Sequence, residues 1–79
     1  MLTRVQVRMA RAALGWGMRE LAQKAELNPN SVSRFENGGD MRSENLRRIQ
    51  RAFEEAGIEF IPENGGGPGV RLRDREQSK

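Results

Sequence analysis

The sequence predicts a mainly helical domain of four to five helices that ends in a β-hairpin. Two patterns of hydrophobic spacing support this fold class. Up to Gly57, apolar residues recur at spacings of three and four, as they do on helices that bury one face. Beyond Gly57 they alternate with polar residues, first over residues 58–61 and again over residues 70–73. The glycine-rich segment between these runs predicts a wide loop that joins two antiparallel strands.

Length and composition restrict the chemistry that is open to this chain. Its 79 residues suffice for one small domain, and they include no Cys and no His. This excludes disulfides, zinc fingers and imidazole or thiol catalysis, and we expect no cofactor and no metal. The chain has no signal-like start and no apolar run of about 18 residues, so we expect a cytoplasmic, nucleoid-associated protein and no membrane partner.

The basic residues are biased toward arginine. The formal net charge is +3, and twelve of the 14 basic residues are Arg. Arginine favours bidentate recognition of phosphate or guanine, although a GC-rich genome would produce the same bias, and we weigh the two explanations equally. Because the pI is basic, nucleic acid is the expected partner.

The first helix is predicted from Arg4 to Leu14. Thr3 precedes this helix and Gln6 lies within it, and the two have the spacing of a capping box. In a capping box each side chain accepts from the other residue's backbone amide. Three arginines lie along one side of this helix: Arg4, Arg8 and Arg11. A run of charges is usually a solvated face, and we interpret the first two arginines in that way.

Residues 18–38 predict two short helices joined by a tight bend. The second helix is predicted from Met18 to Ala25 and the third from Pro29 to about Asn37. Asn28 is a good N-cap for the third helix, and Pro29 suits its first position because a missing N–H costs nothing there. The outward side chains of this helix are short hydrogen-bonding groups and one guanidinium: Asn30, Ser31, Ser33, Arg34 and Asn37. Such a surface fits the donors and acceptors of the DNA major groove, so the stretch predicts a helix-turn-helix.

A fourth helix is predicted from Glu44 to Ala56, with Ser43 as its N-cap. After it, the hairpin strands place four apolar side chains on one face: Ile58, Phe60, Val70 and Leu72. An isolated two-stranded hairpin is marginal in water, so it must pack on the helices or pair with its copy in a second chain. The second option makes these four residues a dimerisation surface.

These elements divide the chain into three segments. Residues 1–57 are predicted to form a helix-turn-helix DNA-binding domain, and residues 58–73 a β-hairpin that serves as a dimerisation element. Residues 74–79 are charged and have nothing to bury, so they are expected to be disordered.

Three runs of sequence resemble the Cro and phage-repressor helix-turn-helix family, also called the XRE family: residues 14–16 (LGW), 20–22 (ELA) and 31–38 (SVSRFENG). The resemblance implies that Asn30, Ser31 and Arg34 face base edges in the major groove, with Arg34 best suited to read guanine. It implies contacts to the DNA backbone from four further residues: Asn28, Ser33, Asn37 and Arg42. It also implies a structural pair between Arg11 of the first helix and Glu36 of the third.

Two positions depart from the family pattern. Relatives often carry a Gln that braces the recognition helix and meets a phosphate, whereas this chain has Met18, which can do neither. Relatives commonly carry Gly at the bend, whereas this chain has Glu26, which must adopt a left-handed conformation or change the turn, at a cost of about 1 kcal/mol. Both departures argue against very tight binding, but neither removes the groove-facing helix.

The polar third helix and the resemblance together imply a small transcriptional regulator that binds double-stranded DNA. We expect a homodimer on an inverted-repeat operator, acting as a repressor or as both repressor and activator, with RNA polymerase as a partner when it activates. By resemblance, its size fits a regulator of a bacterial or phage mobile element. The alternative is a protein-binding module, such as an antitoxin or antiactivator, whose hairpin adds a strand to a partner. An enzyme is rejected, because the chain has no His, Cys or Tyr and no inward-facing carboxylate pair.

Overall fold

Four helices and a two-stranded antiparallel sheet make up the structure, a computed structural model that describes residues 2–63 and 65–73. The elements follow in the order α1 (Arg4–Leu14), α2 (Met18–Ala25), α3 (Pro29–Glu36), α4 (Ser43–Glu55), β1 (Ile58–Ile61) and β2 (Gly69–Leu72). The predicted fold class, a mainly helical domain with a carboxyl-terminal hairpin, is therefore confirmed. The tail predicted at residues 74–79 lies outside the described residues.

The helices and the hairpin share one apolar core. Its largest fully buried hydrophobic side chains come from all four helices and β1: Val7, Leu21, Val32, Ile49, Phe53 and Ile58. Trp16 stacks on Phe53 with 5.4 Å between ring centroids, and Phe53 meets Phe60 edge-on at 5.9 Å. This row of aromatic rings joins the α1–α2 link, α4 and the hairpin, so the helices that support α3 are fixed to one another.

The capping box predicted at the start of α1 is present, and it also attaches the hairpin. Thr3 Oγ1 accepts from the Gln6 amide at 3.1 Å, and Gln6 Oε1 accepts from the Thr3 amide at 3.0 Å. Gln6 Nε2 donates to the carbonyl oxygens of Ile61 at 3.3 Å and Gly69 at 3.0 Å. Because Ile61 and Gly69 face each other across the two strands, this buried amide holds both strands against α1 at the loop end of the hairpin.

The turn between α2 and α3 consists of three residues. Glu26 has φ 60° and ψ 46°, so of the two alternatives left open at the bend the left-handed conformation is the one present. The Leu27 amide donates to the Ala22 carbonyl at 2.8 Å, which closes the end of α2. Asn28 Oδ1 accepts from the Asn30 amide at 2.8 Å, as predicted for the N-cap of α3. The turn therefore departs from the family pattern in sequence while it keeps the backbone course that a glycine would give.

We expect Glu26→Gly to raise the free energy of unfolding by up to about 1 kcal/mol, because glycine adopts the left-handed region without the Cβ penalty. Arg48 Nη1 donates to the Glu26 backbone carbonyl at 3.3 Å, and this contact needs no side chain at position 26. Glu26→Ala is the matched control, since it removes the same charge and keeps the Cβ. Urea denaturation of both variants measures the difference, and equal stability of the two would show that the bend is not strained.

The boundaries of α3 and α4 differ from the predicted ones by one residue. The N-cap of α4 is Arg42, and Ser43 is the first helical residue, so the prediction of Ser43 as the cap was wrong. Arg42 is extended, and its carbonyl accepts from the amides of Asn45 and Leu46, both at 3.0 Å. The course of the preceding loop therefore sets the start of α4, although Arg42 makes no side-chain cap hydrogen bond. At its own end, α3 stops at Glu36.

The hairpin is present, and its four apolar residues share one face as predicted. Ile58 lies opposite Leu72, and Phe60 lies opposite Val70. This face is turned toward the chain's own helices, because β1 packs on α4 and β2 packs on α1. Ile58 is fully buried, whereas Leu72 is 39% exposed. Phe60 and Val70 are half-buried against the core. Packing on the helices, one of the two options that the sequence left open, is therefore present.

The other face of the hairpin carries an exposed ion pair. Arg71 Nε donates to Glu59 Oε1 at 3.2 Å, and this hydrogen bond lowers the pKa of the Glu59 carboxyl. Both side chains remain well exposed, so water screens the pair and it adds little to stability.

Candidate nucleic-acid interface

Helix α3 presents two chemically different faces. Val32, Phe35 and Glu36 are buried against the rest of the domain. On the other face Asn30 and Arg34 are exposed, and Ser31 is half-buried. The helical period thus separates the residues predicted to read bases from those that hold the helix in place. The domain's own fold leaves open the face that was predicted to enter the major groove.

The residues predicted to contact the DNA backbone lie in the middle and at both ends of α3 and at the start of α4. Asn28 is exposed, and its side-chain oxygen is occupied as the N-cap, which leaves its NH2 group to donate to a phosphate. Asn37 is exposed, and its Nδ2 makes a long contact of 3.5 Å to Oγ of the half-buried Ser33. Arg42 is exposed before α4. All four therefore border the open face of α3.

A shallow cleft separates α3 from the start of α4. It is lined by Ser31, Arg34, Asp40, Met41, Arg42 and Asn45. Two predicted base-reading residues and one predicted backbone residue are therefore brought together around it. None of the salt bridges among the described residues involves Arg34. Its guanidinium is thus available to an external acceptor such as the O6 and N7 atoms of guanine.

The inner face of α3 carries a buried carboxylate. Glu36 is 2% exposed, and Arg11 Nε and Nη2 donate to its two oxygens at 2.7 and 2.8 Å. The pair implied by the family resemblance is therefore present. The hydrogen bond to Glu36 raises the pKa of Arg11 above its ordinary value. Among the described residues no buried side-chain nitrogen or oxygen lacks a hydrogen-bond partner, so the cost of burying this charge is offset.

Arg4 does not belong to a solvated face, and that interpretation was wrong. Arg4 Nε donates to the Phe35 carbonyl at 2.7 Å, and Arg4 Nη2 donates to the Gly39 carbonyl, also at 2.7 Å. Its guanidinium carbon lies 4.8 Å from the centre of the Phe35 ring. The acceptors are 31 and 35 positions away along the chain, so a local reading of the charge pattern could not find them.

Arg8 also contacts α3, although it is 52% exposed. Its Nη2 donates to the Glu36 carbonyl, and its Nε lies 3.7 Å from Glu36 Oε1. Together with Arg4 and Arg11 it places three cations at the carboxyl end of α3, where the last carbonyls of a helix lack partners and attract positive charge. The regular spacing of Arg4, Arg8 and Arg11 was the one indication in the sequence that they act together at the end of α3.

The chemistry that this arrangement supports is binding. The open face of α3 offers amide, hydroxyl and guanidinium groups, which form hydrogen bonds with base edges and phosphates. Within residues 2–63 and 65–73, no group of His, Cys, Asp and Glu side chains is arranged to hold a metal ion. The same part of the chain has no helix with the length and apolar character needed to span a membrane.

Comparison with known families agrees with this geometry. A family model described as helix-turn-helix matches residues 7–59, which include the whole of α2, α3 and α4. No curated protein matched the chain. The matched family consists of DNA-binding regulators, which are generally not enzymes. Since the match covers more than half of the chain, the protein belongs to the Cro/XRE-type helix-turn-helix family of DNA-binding regulators.

Proposed function

We propose that this protein is a transcriptional regulator that reads a specific sequence of double-stranded DNA with α3. The observation that carries the proposal is the division of α3 into a buried inner face and an open polar face. The inner face is held by the Glu36 carboxylate, and the outer face presents Asn30, Ser31 and Arg34. A helix held in this way can enter the major groove without reorganisation of the domain.

In this proposal Arg34 is the main base-reading residue. Its guanidinium can donate two parallel hydrogen bonds to guanine, a contact worth roughly 1–3 kcal/mol of discrimination against other bases. The carboxamide of Asn30 can pair with adenine in the same bidentate manner, and the hydroxyl of Ser31 can act as donor or acceptor. We therefore expect each operator half-site to contain a guanine within reach of Arg34.

We assign contacts to the DNA backbone to the four residues that border this face. They are Asn28, Ser33, Asn37 and Arg42. Such contacts carry no sequence information, but they fix the register of the reading helix on the duplex. Arg42 lines the same cleft as Arg34, which supports a phosphate contact beside the base contact.

We further propose that the protein acts as a homodimer. A single α3 makes few base contacts, whereas a two-fold pair places two reading helices about 34–36 Å apart, on successive turns of the major groove. The two-stranded sheet leaves strand edges that a second hairpin can extend. Among the described residues, Val5 of α1 and Leu72 of β2 are large apolar side chains that stay exposed, and these two elements pack together. This supports a pairing surface at the hairpin to which Leu72 contributes its side chain.

An inverted-repeat operator inside a promoter would make such a dimer a repressor, because the bound protein would exclude RNA polymerase. An operator beside the promoter would allow activation through contact with RNA polymerase. We propose a cytoplasmic location, where the protein reaches the nucleoid, and a role as the regulator of a mobile element.

Selection of bound fragments from a random double-stranded DNA library tests the proposal. We expect an enriched inverted repeat with half-site centres about 10 base pairs apart, or a multiple of that spacing, because the reading helices must meet the same side of the duplex. Enrichment of a single half-site would contradict the dimer. No enrichment at all would contradict sequence-specific reading.

The second candidate function is a protein-binding module, such as an antitoxin or antiactivator. The exposed Leu72 on a strand with one edge unpaired in the sheet favours it, since a partner could add a strand there. A salt titration separates the two functions. Each phosphate contact makes the logarithm of DNA affinity fall by about 0.9 per unit of log salt concentration, so we expect a steep slope. Failure to retain any DNA at low salt would support the protein-binding module.

A further inference from the structure

The turn between α3 and α4 approaches Arg34 very closely. The Gly39 amide donates to the Arg34 carbonyl at 2.7 Å. A Cβ atom placed on Gly39 would lie 2.7 Å from Arg34 Cγ and 2.9 Å from the Arg34 carbonyl oxygen, which is too close for a real contact. A glycine is therefore needed at this position because of the close approach. At the neighbouring position 38 a glycine is favoured for a different reason, because the φ of Gly38 is 106°, in the left-handed region.

Gly39 is in turn held from the other side of the domain. One guanidinium, that of Arg4, donates to the Gly39 carbonyl and to the Phe35 carbonyl, both at 2.7 Å. The first acceptor belongs to the turn and the second to the last turn of α3. Because the guanidinium is planar and its donors are fixed in a fork, it sets the distance between these two carbonyls.

We propose that Arg4 and Gly39 are positioning residues for Arg34. The guanidinium of Arg4 holds Gly39, and the Gly39 amide holds the backbone carbonyl of Arg34. Because Gly39 has no Cβ, it also leaves free the space that the Arg34 Cγ occupies. The direction in which the Arg34 side chain leaves α3 is thereby set before DNA is bound. This inference rests on the proposed base reading by Arg34. Neither Arg4 nor Gly39 touches the DNA in it.

The physical advantage of this arrangement is preorganisation. A free arginine side chain loses much rotamer entropy when it is fixed on a base edge. Holding the backbone from which this side chain leaves in one position in the unbound protein lowers the cost of ordering it on binding, and it favours one base-contacting geometry over others. The arrangement therefore acts on the discrimination between bases, whereas the attraction to phosphates depends on charge and is little affected.

Two variants and one control test the inference. Gly39→Ala adds the Cβ that displaces Arg34, and Arg4→Lys keeps the charge but loses the fork. Arg8→Lys is the control, because Arg8 lies on the same helix and donates to the Glu36 carbonyl without touching the turn. Circular dichroism melting first defines a temperature at which every variant is folded.

The readout is the ratio of two dissociation constants. One is for the selected duplex, and the other is for the same duplex with the guanine opposite Arg34 replaced. We expect Gly39→Ala and Arg4→Lys to lower this discrimination about fivefold or more, the low end for a lost bidentate contact. We expect the control Arg8→Lys to change it less than about twofold, since in the mechanism above it leaves the Arg34 contact intact. Unchanged discrimination in Gly39→Ala and Arg4→Lys would overturn the inference.

A double-mutant cycle separates positioning from general destabilisation. In an Arg34→Ala background, Gly39→Ala has no reading side chain left to misplace, so we expect no further loss of discrimination. Additive losses would overturn the inference, because they would show that Gly39 acts by another route. Should Arg34→Ala alone leave the discrimination unchanged, base reading by Arg34 would be wrong. If Arg34→Ala lowers the discrimination and Gly39→Ala does not, the positioning role would be contradicted and base reading by Arg34 would stand.

Discussion

Arg34→Ala is expected to remove most of the sequence preference of the protein while leaving it able to bind DNA at low salt. Each bidentate contact supplies roughly 1–3 kcal/mol of discrimination, and a dimer would lose two of them, so the total loss is roughly 2–6 kcal/mol. Binding without sequence preference depends on phosphate contacts, most of which remain. Because Arg34 is exposed, the variant is expected to stay folded.

Arg47→Ala is the matched control for this result. Arg47 is an exposed arginine of α4, and its replacement removes the same charge from the domain. We expect it to weaken binding to selected and scrambled duplexes to a similar degree. Fluorescence anisotropy titrations give, for each variant, the ratio of the dissociation constants for the scrambled and the selected duplex. Retained preference in Arg34→Ala, or lost preference in Arg47→Ala, would show that α3 does not read the bases in the way proposed.

Glu36→Ala is expected to cause the largest loss of stability. Removing one partner of a buried ion pair costs about 3–5 kcal/mol, because the remaining charge is left uncompensated. We expect about 3 kcal/mol, the low end, since the Arg11 side chain is 20% exposed and can still reach water. A domain of this size has a total stability of about 5–15 kcal/mol, so the variant would lie close to unfolding under mild conditions.

Glu59→Ala provides the comparison for Glu36→Ala. It also removes a glutamate that pairs with an arginine, but the pair with Arg71 is exposed. We expect a much smaller loss than for Glu36→Ala, because exposed ion pairs are screened by water. Urea denaturation of both variants gives the two free energies of unfolding. Losses of equal size would mean that burial of the Glu36 carboxylate does not determine its contribution.

Features that depend on a few neighbouring residues could be predicted from the sequence. The capping box of Thr3 and Gln6 is one example, and the N-cap Asn28 before Pro29 is another. The two strands of the hairpin and their shared apolar face followed from the alternation of apolar residues beyond Gly57. In each case the interacting groups lie close together in sequence or obey a strict period, so the physical cause is visible in the residues themselves.

Features that depend on distant partners could not be predicted in the same way. The contacts of Arg4 and Arg8 reach acceptors at least 28 positions away, and nothing near these arginines indicates them. The start of α4 shows a second limit. An N-cap side chain is worth only about 1 kcal/mol, so the path of the preceding loop could place Arg42 at the cap ahead of Ser43.

The arginines of α1 have a consequence for how the recognition helix is acquired during folding. Its terminal carbonyls and carboxylate find their donors only when α1 packs on it. We expect these distant contacts to form late in folding, because long loops must be ordered first. A polypeptide begun at the internal Met18 would still contain the full helix-turn-helix motif, yet it would lack every one of these donors. The part of the chain that must fold to hold α3 in place is therefore larger than the helix-turn-helix motif, because it includes α1.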